Sequence, residues 1–291
     1  MTRFRVSHRT EYRYGRPMAD GFTTVHLTPR PTRCQDVVSV ELLVDPQPDE
    51  IDITIDQFGN AVTQFAVHRP HDSLVVDSTI VVDVVVPPSI ISAVTWETVV
   101  AEAAAAQGWL ATDIGPYLAH TLQTPRLPEL AVLTDIEFWP GRPIAEAVSG
   151  LCQRIYDEFQ YDAGFSDVTT PLGTVLAERR GVCQDFAHVS CAALRSIGLP
   201  ARYVSGYIET QPAPGEPKLV GVDASHAWCS AWAGASGWID FDPTNNQMPP
   251  LRHPTVGWGR DFDDVTPVRG VVIGPSGGQS LVVSVDVTAL D

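Results

Sequence analysis

From Arg3 to Tyr14 the chain alternates strictly. Phe4, Val6, His8, Thr10, Tyr12 and Tyr14 take the even positions, and Arg3, Arg5, Ser7, Arg9, Glu11 and Arg13 the odd ones. Period two over such a stretch predicts a strand with one buried face. Further β-rich runs follow in DVVSVELLVDP, IDITIDQFGNAVTQFAVH and SLVVDSTIVVDVVVPP, and FGN between alternating segments predicts a hairpin turn. Residues 1–88 therefore read as an antiparallel β-sandwich domain. PPSIISAV marks a linker. The Ala-rich TWETVVAEAAAAQGWLA predicts helix, marginal in isolation, and TPRLPEL ends it, so 89–130 reads as a helical linker region. Residues 131–265 place helices first and strands after, the pattern of an α+β domain. The tail, 266–291, alternates again and is expected to return as strands to the N-terminal domain.

Composition narrows the class. The chain has 291 residues, enough for one large domain or two ordinary ones with a sizeable core. A formal net charge of −16 repels nucleic acid and anionic membranes and favours amine-bearing partners. The cysteines are Cys34, Cys152, Cys183, Cys191 and Cys229. Their odd number, wide spacing and lack of a CxxC argue against a disulfide framework and a structural zinc site. No apolar segment resembles a signal peptide or approaches the roughly 20 residues of a membrane span. The expected setting is the reduced cytoplasm, with no cofactor and no metal. Nothing in the pattern specifies an oligomeric state.

The candidate chemistry starts at Cys183 in RRGVCQDFAHVSCAALRSIG. Phe186, Val189, Ala193 and Ile197 form a helical stripe, Gly198 stops it, and Pro200 follows. Cys183 thus falls in the first turn, where backbone N–H groups and the positive end of the dipole favour a thiolate. Gly181 allows close approach. The alternative is an inert buried cysteine, the reading given to mid-helix Cys191. A nucleophilic thiolate also needs a base. His188, about 140° round the helix, points elsewhere, and so does Asp185. The sequence DASHAWCSAWAGASGWIDFDPTNN offers a base from another element. His226, Trp228, Ser230 and Trp232 alternate along one strand, AGASG turns, and WIDFDPT returns. An odd-length loop puts Asp240 and Asp242 on the same face as His226, with Asp242 nearer its level. An aspartate there can hold the imidazole tautomer. Cys229 faces away from His226, which disfavours a metal-hydrolase arrangement of cysteines and histidines.

GVCQDFAH, GLPARYVSGY, SHAWCSAW and GWIDFDPTNN, in this order, resemble the transglutaminase-like superfamily of papain-like cysteine enzymes. The likeness is tightest over residues 150–250. HRTEYRYGRP, DQFGN and GRDFDDVTPVRG are similar to a bacterial branch with an N-terminal β domain. The resemblance implies Cys183 as nucleophile, His226 as base then acid, and Asp242 as orienter. It implies acyl transfer on an amide of a peptide or protein through a thioester. Hydrolysis is favoured over transamidation because nothing in the sequence marks a second site that excludes water and binds an amine. A transglutaminase, or a non-catalytic binding module that keeps the fold, is the alternative. The aromatic that completes the oxyanion site in animal transglutaminases has no match. Tyr161 is a candidate second donor, with a packing role as its alternative. Trp228 reads as a wall or a substrate contact, and Asp240 as lining the site or capping a backbone group. No D-x-D-x-D-G calcium loop is present. Asp261, Asp263 and Asp264 read as a solvated acidic loop, with cation ligation or contact with an amine as the alternative.

Overall fold

The alternating N-terminal run forms β1 (Thr2–Met18), and Phe4, Val6, His8 and Thr10 are buried along one face, as period two requires. The computed structural model describes residues 1–86, 93–210, 225–248, 252–275 and 277–290. β2 (Asp20–Val25), β3 (Gln35–Asp45), β4 (Glu50–Ile55), β5 (Ala61–Val67) and β6 (His71–Val84) follow. The hairpin joining β4 to β5 turns at Gly59, which has a φ of +81°. There the Asp56 carboxylate accepts the amides of Phe58 and Asn60, both at 2.8 Å. The expected linker PPSIISAV falls largely outside the described residues.

The Ala-rich stretch is two helices, α1 (Trp96–Ala104) and α2 (Gly108–Ile114). They part where Gly108 adopts a φ of +57°. α3 (Ala131–Glu137), α4 (Ile144–Glu158), β7 (Gln160–Tyr161), α5 (Leu172–Glu178) and β8 (Arg180–Gly181) lead to α6 (Cys183–Ser196). Then come β9 (Ala201–Tyr207), β10 (Ser225–Trp232), β11 (Trp238–Phe241) and β12 (Thr255–Gly259), and finally β13 (Val268–Ile273) and β14 (Gln279–Leu290).

Three four-stranded antiparallel sheets organise these elements. Two make the sandwich, in the orders β14-β1-β6-β3 and β13-β2-β5-β4, so the C-terminal strands do return to the N-terminal domain. The third, β11-β10-β9-β12, is the sheet of the α+β core. Phe4, Val82 and Val287 of the sandwich share an apolar cluster with Tyr207 and Val256 of the core, which joins the two units. Gln35 strengthens the seam by pairing with both backbone groups of Thr255 at 2.7 Å, in the manner of a neighbouring strand.

α6 is buried on every side from Asp185 to Arg195, so the apolar stripe underestimates its burial. Phe186, Val189 and Leu194 each contribute roughly 1.5–3 kcal/mol by leaving water. Arg195 closes the helix by donating to the carbonyls of Tyr117, Ala119, Ala201 and Arg260 and to the Thr124 hydroxyl. A cation there also suits the negative end of the helix dipole. Among the described residues no helix is long and apolar enough to cross a membrane.

Candidate active site

Cys183 opens α6 and is partly exposed, whereas Cys152, Cys191 and Cys229 are buried. Its position is set by the residues beside it. Asp185 accepts the Val182 amide at 2.8 Å and the Ser166 hydroxyl, which fastens the helix start to the loop before α5. A Cβ on Gly181 would meet the Asp185 side chain at 2.7–3.0 Å, so this tight entry needs glycine. Asp185 therefore caps the helix, half of a capping box. His188 points away, its Nε2 accepting the Phe262 amide at 3.2 Å. Cys191 packs against Cys229 of β10, with Sγ atoms 3.5 Å apart.

β10 and β11 pair with Ser230 opposite Asp240 and Trp232 opposite Trp238. This register brings Asp242, just beyond β11, to His226. His226 Nε2 donates to Asp242 Oδ2 at 2.8 Å, which leaves Nδ1 as the nitrogen available to Cys183. Burial opposes charge on His226. The hydrogen bond to Asp242 and the negative charges of nearby Cys183 and Asp242 outweigh it and raise the pKa from 6.5 to about 10. Trp228 lies behind the ring, nearly parallel to it, at a centroid distance of 6.0 Å.

Asp242 is fully buried and fully occupied. Its Oδ1 accepts the amides of Thr244 and Asn245 at 2.9 and 3.3 Å. Its Oδ2 accepts His226, His253 Nε2–H at 3.0 Å and Asn245 Nδ2–H at 2.7 Å. Burial alone would favour the neutral acid, but the two histidines hold the carboxyl well below the usual carboxylate range. The turn that folds Asn245 back closes through Asn246, at a φ of +50°. His253 is buried, and burial pushes its pKa down. Its Nδ1 accepts the Arg252 amide at 3.3 Å, so the proton sits on Nε2. His226, Asp242 and His253 converge closely enough to share a metal ion. Their mutual hydrogen bonds already account for the convergence.

Family models match two stretches of the chain. The bacterial transglutaminase-like N-terminal region matches residues 4–83, and the transglutaminase-like superfamily matches residues 135–243. The chain belongs to the transglutaminase-like superfamily. An uncharacterized protein of Mycobacterium tuberculosis is 39% identical over 298 residues, covering 99% of this chain and 93% of its own. A solved structure of a candidate cysteine protease from Cytophaga hutchinsonii covers 100% of this chain and 91% of its own, with a TM-score of 0.75 at 22% identity, and shows the shared fold. A protein-glutamine gamma-glutamyltransferase of Pseudomonas aeruginosa is 40% identical over 73 residues, 24% of this chain and 11% of its own.

Within this transglutaminase-like fold the other candidates take different places. Tyr161 pairs across β7 and β8 with Gly181, close enough to Cys183 that burial and the cysteine's charge push its phenol up. It is 56% exposed, and its hydroxyl makes no hydrogen bond among the described residues. Trp228 and Asp240 line a separate cavity rather than the Cys183 side. A Cβ on Gly206 would come within 2.7 Å of the Trp228 ring, so that seat depends on glycine. Asp261 corrects the expectation of a solvated acidic loop. It is buried and caps the Asp263 amide, while Asp264 pairs with Arg260 at 2.8 Å. His253 and Asn245 are the residues that sequence reasoning passes over. DPTNN signals a turn, and Asn245 belongs to it. His253 sits in a stretch with no period at all.

Proposed function

We propose that this chain is a cysteine acyl-transfer enzyme that hydrolyses amide bonds in peptides or proteins, with Cys183, His226 and Asp242 as its triad. The observation that carries this reading is the held imidazole. Asp242 fixes Nε2–H at 2.8 Å, and Nδ1 is left for a cysteine at a helix start. The Cys183 thiolate attacks the carbonyl carbon, and the backbone N–H of Cys183 donates to the oxyanion that forms. The His226 imidazolium gives its proton to the leaving nitrogen, the C–N bond breaks and a thioester remains. Neutral His226 then takes a proton from water, the resulting hydroxide attacks, and the C–S bond breaks. The carboxylic acid leaves, and thiolate and imidazolium are restored. Asp242 keeps the ring oriented and its charge balanced throughout.

Hydrolysis needs only water in the cleft, whereas transamidation needs an amine site opening onto the thioester. The second reading, transamidation, is favoured by the likeness of about a quarter of the chain to the Pseudomonas protein. We place the protein in the cytoplasm, a reading that its five free cysteines support. Incubation of a peptide library with and without a primary amine, read by mass spectrometry, tests the proposal. Cleaved or deamidated products that vanish in Cys183→Ala support hydrolysis. Amine adducts in place of them support transamidation, and silence supports a binding module.

A further inference from the structure

On the sheet face that carries Trp228, a cavity of about 480 Å³ lies between the α+β core and the sandwich. Trp228 and His253 line it, and Cys183 and His226 do not, so it is a second site behind the triad. Strand register sets one row of polar side chains across its floor. Ser230 of β10 stands opposite Asp240 on one side and Arg202 of β9 on the other. Adjacent strands are about 4.8 Å apart, so an acid and a base flank a hydroxyl over about 10 Å.

This row is unfinished. Trp228 Nε1, Ser230 Oγ and Arg202 Nε are buried and have no hydrogen-bond partner. Burial pushes the Asp240 carboxyl up, opposed by nearby Ser230, Arg202 and Trp228, and neither Ser230 nor Trp228 reaches hydrogen-bond geometry with it. Arg202 is held in place from its other sides. Its guanidinium lies 3.6 Å from the centre of the Trp238 ring and 4.4 Å from that of Trp258, and it approaches Asp113 at 3.8 Å. Buried polar groups are normally paired, and here several unpaired ones share one cavity wall.

We propose that this cavity binds a small zwitterion, a free α-amino acid or short peptide with an apolar side chain. Its ammonium sits on Asp240 and its carboxylate on Ser230 and Arg202. The side chain packs against Trp238, Met248 and Val84, which also line the cavity. A lone anion would leave Asp240 beside a second negative charge, and a lone cation would meet Arg202. A neutral ligand would leave the Asp240 charge unmatched. The volume falls within the usual range for small-molecule pockets, roughly 300–1,000 Å³. The inference is independent of turnover at Cys183.

The test is titration calorimetry on full-length Cys183→Ala protein, with tryptophan fluorescence as a second readout because the cavity walls are tryptophans. Phenylalanine, leucine and their dipeptides are compared with N-acetylated and carboxamide forms. At least one zwitterion is expected to saturate with a Kd near or below about 1 mM, and capping either end is expected to weaken binding by about tenfold or more. A preference for the amino acid or for the dipeptide identifies which source of the zwitterion fits. Asp240→Asn is expected to erase the discrimination against N-acetylation, and Ser230→Ala to weaken free and acetylated ligands alike. Capped forms that bind as well as free ones, or no saturation up to about 10 mM, would overturn the proposal.

Discussion

Asp240 and Asp242 stand two residues apart on one face at the end of β11, and their surroundings are opposite. Asp242 accepts five hydrogen bonds, from two histidines, an asparagine side chain and two backbone amides. Asp240 faces a cavity whose nearest donors stay unpaired. A fully satisfied buried carboxylate is rigid before any substrate arrives, which is what an imidazole-orienting group requires. A carboxylate that lines a cavity beside unpaired donors has room for a counterpart. On our reading the same residue type on the same face serves two purposes, and the partners supplied by other elements decide which.

The contrast can be broken at several points. The largest effect belongs to the reacting groups. Cys183→Ala and His226→Ala should each lower turnover of any substrate found by roughly 10³-fold or more, with the protein still folded by circular dichroism. Asp242→Asn should cost roughly 10²- to 10⁴-fold, because the amide can present the wrong tautomer partner to His226. It should also lower the melting temperature, since two histidines and two backbone amides lose their acceptor charge. If Asp242→Asn kept full activity, the orienting role assigned to its hydrogen bonds would fail. His253→Asn should cost about 1–3 kcal/mol of stability in urea unfolding, as one of three donors to Oδ2 is shortened away. Its effect on turnover should stay within about tenfold, well below that of Asp242→Asn, because His226 keeps its own bond.

Stability should also follow pH in a defined window. The His226 pKa is raised in the folded protein, from 6.5 to about 10. Its stabilising contribution is fully present below pH 6.5 and is lost as pH rises toward about 10. Asp242 is shifted the other way, so its contribution is present above its ordinary value of 3.8 and is lost as pH falls below it. Melting temperatures across pH should therefore fall on the alkaline side, and His226→Ala should flatten that limb.

Much of this arrangement is legible in the chain before any coordinates. Period two identifies β1, and the odd-length loop between SHAWCSAW and WIDFD puts His226 and Asp242 on one face. Both are local properties of the backbone. What the chain hides is tertiary. The burial of α6 on all sides comes from the sheet and the neighbouring helices, not from its own stripe. Asp261 is dry because α6 and the chain around Thr121 pack near it, although the acidic run alone reads as solvated. His253 reaches Asp242 from a segment without periodicity, and the cavity beside Asp240 exists only because the sandwich docks on the sheet. Register is written locally, and partners that arrive from distant elements are not.

If Cys183 is a nucleophile activated by His226, its reactivity toward an alkylating agent should depend on that histidine. The most direct measurement is the rate of iodoacetamide alkylation at each cysteine, resolved by peptide mass spectrometry, in the unmodified chain and in His226→Ala. Cys183 should react at least about tenfold faster than Cys34 near neutral pH, and His226→Ala should remove most of the difference. Equal labelling of Cys183 and Cys34, or a Cys183 rate unchanged by His226→Ala, would contradict that activation.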